Sequence, residues 1–170
     1  MAPAAASPAF SLAYQRFVPP IRAKCQRLLG RSGEAEEVVQ ETFLRLWQAG
    51  LPLPPAAEPR AVMAWLYRTC THLAIDRLRS QRRRTRAPDS ALETLPCSIK
   101  LEAWLSTKQI LQELAERMPA DELQAVVLCR VDGLGQAEAA EVQGTSERTL
   151  RRLLAAFDQR AEKWRKESSS

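Results

Sequence analysis

The stretch Glu34–Trp47, EAEEVVQETFLRLW, decides the reading of the fold. Val38, Val39, Phe43, Leu46 and Trp47 recur every three or four residues, so they fall on one stripe of an α-helix and predict a buried face. Glu34, Glu36 and Glu37 fill the first turn, where unpaired N–H groups and the helix dipole favour negative charge, and Ser32 or Gly33 is the expected cap. Gly50 ends the helix. The other face, made of Glu37, Gln40, Glu41, Leu44 and Gln48, is polar apart from one leucine. Read from the residues alone, it is an acidic surface left to solvent.

The same logic extends along the chain. Upstream, Leu12, Phe17, Ile21, Cys25 and Leu28 give a first helix from about Phe10 to Leu29. Pro19 and Pro20 lack N–H donors and predict a kink or a division into two short pieces. Downstream, the proline-rich loop LPLPPAAEP leads into a third helix, about Arg60 to Arg84. Its inner face is Val62, Leu66, Cys70 (or Thr69), Leu73 and Leu78, and six arginines crowd its end between Arg77 and Arg86. The segment APDSALETLPCSI has no period and reads as a linker. Helicity returns at Leu101 or Trp104, stops at Met118-Pro119, resumes in ADELQAVVLCRVDG with Gly133 after its last turn, and EKWRKESSS frays at the end. The expected fold is all-α: two small helical bundles, 10–86 and 104–166, joined by a flexible linker, 87–103, with tails at 1–9 and 167–170.

Residues 133–157, GLGQAEAAEVQGTSERTLRRLLAAF, have the outline of a helix-turn-helix. Ser146 is placed to cap the second helix, with Thr149 at its third position. Glu147, Arg148, Arg151 and Arg152 are then available to a DNA major groove, where arginine reads guanine bidentately or holds phosphate.

Composition bounds the function. The chain has 170 residues, a net charge of +5, six glycines and 6% aromatics, which suits helices over strands. No apolar run is long enough for a membrane span, and MAPAAASPAF lacks the basic start and apolar core of a secretory signal. Cys25, Cys70, Cys97 and Cys129 lie in no ligand spacing, so no metal site and no cofactor are expected, and reduced thiols in the cytosol are. Residues 10–86 carry fourteen Lys/Arg against six Asp/Glu, whereas 111–166 carry nine against ten. Attraction to phosphate therefore belongs mainly to the first half. One histidine and no Gly-rich phosphate loop leave little from which to build an enzyme.

EAEEVVQETFLRLW followed by AWLYRTCTHLAIDRLRSQRRR (64–84) resembles region 2 of bacterial RNA polymerase sigma factors, and LAERMPADELQAVVLCRVDGLGQAEAAEVQGTSERTLRRL (114–153) resembles their region 4. The order, with no intermediate region, resembles the extracytoplasmic-function (ECF) group of the sigma-70 family. The resemblance implies a cytoplasmic, non-catalytic subunit that brings core polymerase to promoters and melts the −10 element. It implies binding to the β′ clamp helices and β subunit of core polymerase, to double-stranded −35 and single-stranded −10 DNA, and to an anti-sigma factor. It assigns Glu37, Gln40, Glu41, Leu44 and Arg45 to polymerase docking, with Phe43 and Trp47 as internal packing. It assigns Trp65, Tyr67, Arg68, His72, Arg79, Arg82 and Arg83 to the −10 strand, where aromatic faces stack on unpaired bases and cations track phosphates. The loop from Leu51 to Glu58 would set base preference. Ser146, Glu147, Arg148, Thr149, Arg151 and Arg152 would meet the −35 element.

Departures from the family pattern set further expectations. Thr71 stands for a basic residue and His72 for asparagine, both on the −10 surface. His72 is either a DNA contact or a partly exposed surface residue, Asp76 a helix anchor or arginine partner, and the arginine cluster either phosphate-binding or a solvated helix end. In the helix-turn-helix, Ala139, Gln143 and Thr145 replace larger apolar side chains, so Leu134, Val142, Leu150, Leu153 and Leu154 must hold the unit, helped by Val126 and Val127. A softer −35 reader follows. The competing classes are a polymerase-independent helix-turn-helix regulator and a degenerate sigma-like protein acting through protein contacts.

Overall fold

The structure, a computed structural model, describes residues 8–30, 33–54, 56–85 and 99–168. It is built from α1 (Pro8–Leu29), α2 (Gly33–Gln48), α3 (Pro59–Thr85), α4 (Ile99–Arg117), α5 (Ala120–Val126) continued by a π-helical turn (Val127–Val131), α6 (Gln136–Gln143) and α7 (Glu147–Ser168). Among the described residues there is no strand, and no helix is long and apolar enough to cross a membrane.

α1, α2 and α3 bury most of the stripes their sequences set out: Phe17, Ile21, Cys25 and Leu28 meet Val38, Val39, Phe43 and Leu46, and both rows meet Val62, Leu66, Cys70 and Leu78, with Ile75 fully inside and Leu73, expected on this face, only partly buried. Two expectations change in α1. Leu12 is 67% exposed rather than inside. Pro19 and Pro20 lie within one helix, not between two pieces. The carbonyls they leave without a donor belong to Gln15 and Arg16, both exposed, so water can take those bonds.

α4 begins at Ile99, inside the span read as linker, and most of that span (87–98) lies outside the described residues, as do Arg86, Ser32 and the start of the N-terminal tail. Pro119 has φ −54° and ψ 145°, an extended conformation that ends α4 and lets its carbonyl accept from Leu123 N at 3.0 Å to start α5. Past Val126 the helix widens: Asp132 N donates to Val127 O at 2.9 Å, a five-residue step. Gly133, at φ 75°, then turns the chain so that Leu134 N reaches Leu128 O at 3.0 Å. α7 stays helical to Ser168, through the segment expected to fray.

The two bundles are not independent bodies. One apolar core runs from Phe17, Phe43 and Leu66 to Leu111, Ala115, Met118, Leu123, Val127 and Phe157. A smaller cluster, Ala125, Leu128, Ala139, Ala140, Val142 and Leu150, takes Ala64 and Tyr67 of α3 as its outer wall. α3 is the shared partition, with α1 and α2 on one side and α4, α5 and α6 against the other.

Candidate functional site

The outer face of α2 is a mixed polar and apolar surface. Gln40 is exposed, Glu41 accepts from Arg45 Nε at 2.8 Å, and Glu37 pairs with Arg77 of α3 at 3.0 Å. Leu44 is 42% exposed. Phe43 is buried as expected, but Trp47 is 51% exposed and is not internal packing. Leu44 and Trp47 are therefore exposed large side chains three residues apart on the helix, Leu51 is a third just beyond its end, and Trp47 is the one whose exposure sequence reasoning missed. The loop after α2 turns at Leu53, whose carbonyl accepts from Ala56 and Ala57 at 2.9 and 3.2 Å.

On α3, Trp65, Tyr67 and Arg68 are half-buried and His72 is exposed. Tyr67, Arg68 and His72 lie toward the second bundle, whereas Trp65 packs against the larger core. Tyr67 packs on the small alanine-rich cluster, and burial together with the nearby Asp132 carboxylate raises its phenol above the ordinary range. His72 Nε2 lies 2.5 Å from Gln124 Oε1, and because a carbonyl oxygen only accepts, the imidazole is the donor. Arg79 donates from Nε to Ala115 O at 2.6 Å and from Nη2 to Met118 O at 3.1 Å, closing the carbonyl end of α4. Its contact with Asp76 is long, 3.9 Å. Arg83 is exposed, while the Arg82 side chain lies outside what the structure describes. Thr71 does not belong to this surface: it is fully buried, and its hydroxyl donates to Tyr67 O at 2.6 Å.

The helix-turn-helix is built from α6 and α7. Gly144, at φ 72°, ends α6 in a paired return: its N–H reaches Glu141 O at 3.1 Å and Thr145 N reaches Ala140 O at 2.9 Å. Ser146 Oγ accepts from Thr149 N at 3.1 Å, the N-cap of α7. Glu147, Arg148 and Arg151 point to solvent. Thr149 and Arg152 instead line a cleft with Arg68, His72, Asp121, Gln124 and Thr145. Among the props, Ala139 is fully buried, and Gln143 is a polar strut whose Nε2 donates to Asp121 O at 3.0 Å while its Oε1 is buried without a partner.

Charge bridges the halves. Lys24 on α1 is wholly buried and paired with Asp132, the residue after the π turn; Arg27 reaches the other carboxylate oxygen at 2.9 Å. The Lys24 ammonium lies 4.8 Å from the centre of the Tyr67 ring. At the rim, Arg60 meets Glu141 at 2.6 Å. Beside Lys24, burial holds the Cys70 thiol well above the ordinary range, and hydrogen bonding from that thiol draws Cys25 down. Cys129 is pushed up by partial burial, and Cys97 lies outside the described residues.

Comparison with known proteins places these surfaces in a family. Residues 13–84 match the profile described as Sigma-70 region 2, and residues 108–156 match that of Sigma-70, region 4. The chain is 34% identical over 136 residues to the ECF RNA polymerase sigma factor SigJ of Mycobacterium tuberculosis, covering 75% of this chain and 42% of that protein. It is 28% identical over 141 residues to the ECF RNA polymerase sigma factor EcfG of Rhodopseudomonas palustris, covering 79% and 72%. The chain thus spans less than half the length of SigJ, and likewise 49% of SigE of Mycolicibacterium smegmatis. Its fold is similar to that of the sigma factor RpoE solved with the anti-sigma factor NepR from Bartonella quintana, with a TM-score of 0.52, 20% identity, and coverage of 92% of this chain and 96% of that one. Two sigma-70 modules in family order, on the helices that carry the exposed α2 face and the capped helix-turn-helix, make this chain a member of the sigma-70 family, in its extracytoplasmic-function group.

Proposed function

We propose that the chain is a promoter-specificity subunit of bacterial RNA polymerase, acting in the cytoplasm without catalysis of its own. Residues 10–86 dock on the polymerase and take the opened −10 strand; residues 104–166 read the −35 duplex. The observation that carries this reading is the outer face of α2, where Leu44 and Trp47 stay exposed beside Gln40 and Glu41. An isolated repressor has no use for such a face, whereas a helix that must seat on a coiled-coil protein surface needs apolar anchors ringed by polar groups. In this reading Glu37, Gln40, Glu41, Leu44, Arg45 and Trp47 meet the β′ clamp helices. Trp65, Tyr67, Arg68, His72, Arg79, Arg82 and Arg83 serve the −10 strand, and Ser146, Glu147, Arg148, Thr149, Arg151 and Arg152 the −35 duplex. An anti-sigma factor would compete for the same faces.

Co-purification with core polymerase tests the docking assignment. Trp47→Ala and Glu41→Lys each lie on the surface, so the folded content by circular dichroism stays as in the wild type. Each is expected to lower polymerase binding by at least about tenfold, the loss of one central interface anchor. Undiminished binding of both variants would remove α2 from the interface.

A further inference from the structure

We propose that the cleft where α3 meets α5, α6 and α7 is a binding site for a nucleoside monophosphate, a ligand that joins a phosphate to a hydrogen-bonding base. The site stands on its own geometry. Only its consequence for promoter DNA rests on the promoter reading.

The cleft has a volume of about 350 Å³, within the roughly 300–1,000 Å³ of small-molecule sites. Its cations come from helices distant in sequence, Arg68 on α3 and Arg152 on α7. Among the described residues neither guanidinium has a carboxylate partner. Arg68 is held over the turn between α6 and α7, where a Cβ on Gly144 would sit 2.5 Å from its Nη1, so the bare glycine makes the room it occupies. Two planar guanidinium forks on one cleft suit the oxygens of a phosphate. Thr145 and Thr149 add hydroxyls to the lining. Asp121 is its one carboxylate, and two arginines against it leave the cleft net positive.

An anion alone does not answer the remaining polar groups. Gln124 is 1% exposed, and its Oε1 is taken by His72 Nε2 at 2.5 Å, which leaves Nε2 buried with no acceptor. Gln143 has the converse need: Nε2 donates to Asp121 O at 3.0 Å, and Oε1 is buried with no donor. Folded proteins keep few such groups unmatched, because each has given up its hydrogen bonds to water. Both amides line the cleft, one short of an acceptor and the other of a donor. The edge of a nucleobase carries an acceptor beside a donor and serves both; sulfate, all acceptor, has no hydrogen for Gln143. Leu153, half-buried in the same lining, gives the ring an apolar surface. A nucleotide bound there would occupy Arg68, Thr149 and Arg152, and so compete with promoter DNA for them.

Isothermal titration of the full chain, without polymerase, tests the site with the four common ribonucleoside 5′-monophosphates, against sulfate and ribose 5-phosphate. At least one nucleotide should bind about tenfold or more tightly than either comparator. Arg152→Ala and Gln143→Leu, each folded as the wild type by circular dichroism, should each weaken that nucleotide about tenfold or more, and Arg152→Lys should recover part of the loss. Lys163→Ala, which removes an exposed cation elsewhere on α7, should leave the affinity unchanged. Nucleotides no tighter than sulfate or ribose 5-phosphate, or an affinity indifferent to both Arg152→Ala and Gln143→Leu, would overturn the proposal. Nucleotide binding that passes these tests but leaves the affinity for a labelled promoter-library duplex unchanged upholds the site and rejects instead the DNA assignment of Arg68, Thr149 and Arg152.

Discussion

Single side chains show where the sequence was readable and where it was not. Phe43 and Trp47 are four residues apart and belong to one helical stripe, so spacing alone puts both inside; only the tertiary packing separates them, with Phe43 buried and Trp47 half-exposed. Lys24 carried a signal that went unread. It stands three residues after Ile21 and four before Leu28, a charge in register with an apolar stripe, which requires a partner when buried. That partner, Asp132, is too distant in sequence for any local pattern to name. Gln143 was read as missing apolar volume, and the structure gives it a polar task with one unsatisfied atom. Gln143→Leu loses the bond to Asp121 O but also the orphaned oxygen, so we expect a gain of about 1 kcal/mol, a Tm rise of about 2–4 °C by calorimetry, with transcription intact. A lower Tm would show that the strut outweighs the burial. The thiols give a second check. In a Cys97→Ser background, iodoacetamide at mildly alkaline pH should modify Cys129 alone, and slowly, because partial burial raises its thiol. Rapid labelling of buried Cys25 or Cys70 in the native state would contradict the packing of α1 on α3.

At the scale of elements, periodicity located the helices because each buries one stripe, and it failed where a boundary depends on tertiary support. α1 passes through Pro19 and Pro20 because the orphaned carbonyls face solvent, and α4 starts earlier than composition suggests. The helix-turn-helix was legible through its punctuation: Gly144 at positive φ and Ser146 as cap are local devices with local signatures. Gly144→Ala should destabilise the second half by about 1–2 kcal/mol, since a Cβ at φ 72° is strained whatever the space around it. Ser146→Ala should cost about 1 kcal/mol through the lost cap and weaken −35 binding more than −10 binding. Equal thermal stability of both variants and wild type in urea titrations would show that the turn is not held as described. The Arg130–Asp158 pair joins the π turn to α7 on the surface. Hydrogen bonding from Arg130 lowers the Asp158 pKa, so its contribution is present above the unfolded carboxylate range and fades as pH falls through the lower folded value. Exposure to solvent keeps that contribution small, and Asp158→Asn should shift neutral-pH stability by less than about 0.5 kcal/mol.

For the whole molecule, order and charge were visible in the sequence, but docking was not. The first half carries the excess of arginine, and the helix-turn-helix half is near neutral. Binding to a −10 strand should therefore fall with salt at roughly 0.7 log units per phosphate contact, with a steeper dependence from the first half than from the second. The packing of α3 against α5 and α6 arises from contacts such as Arg60–Glu141 and His72–Gln124, each ordinary on its own surface and meaningful only once the bundles meet. That arrangement leaves the outer face of α2 open while α5 and α6 pack against α3. The most direct test is run-off transcription with purified core polymerase on a promoter library. The account predicts discrete start sites, each preceded by paired −35 and −10 elements, that disappear with Trp47→Ala; a folded chain that adds nothing to core polymerase alone would contradict it.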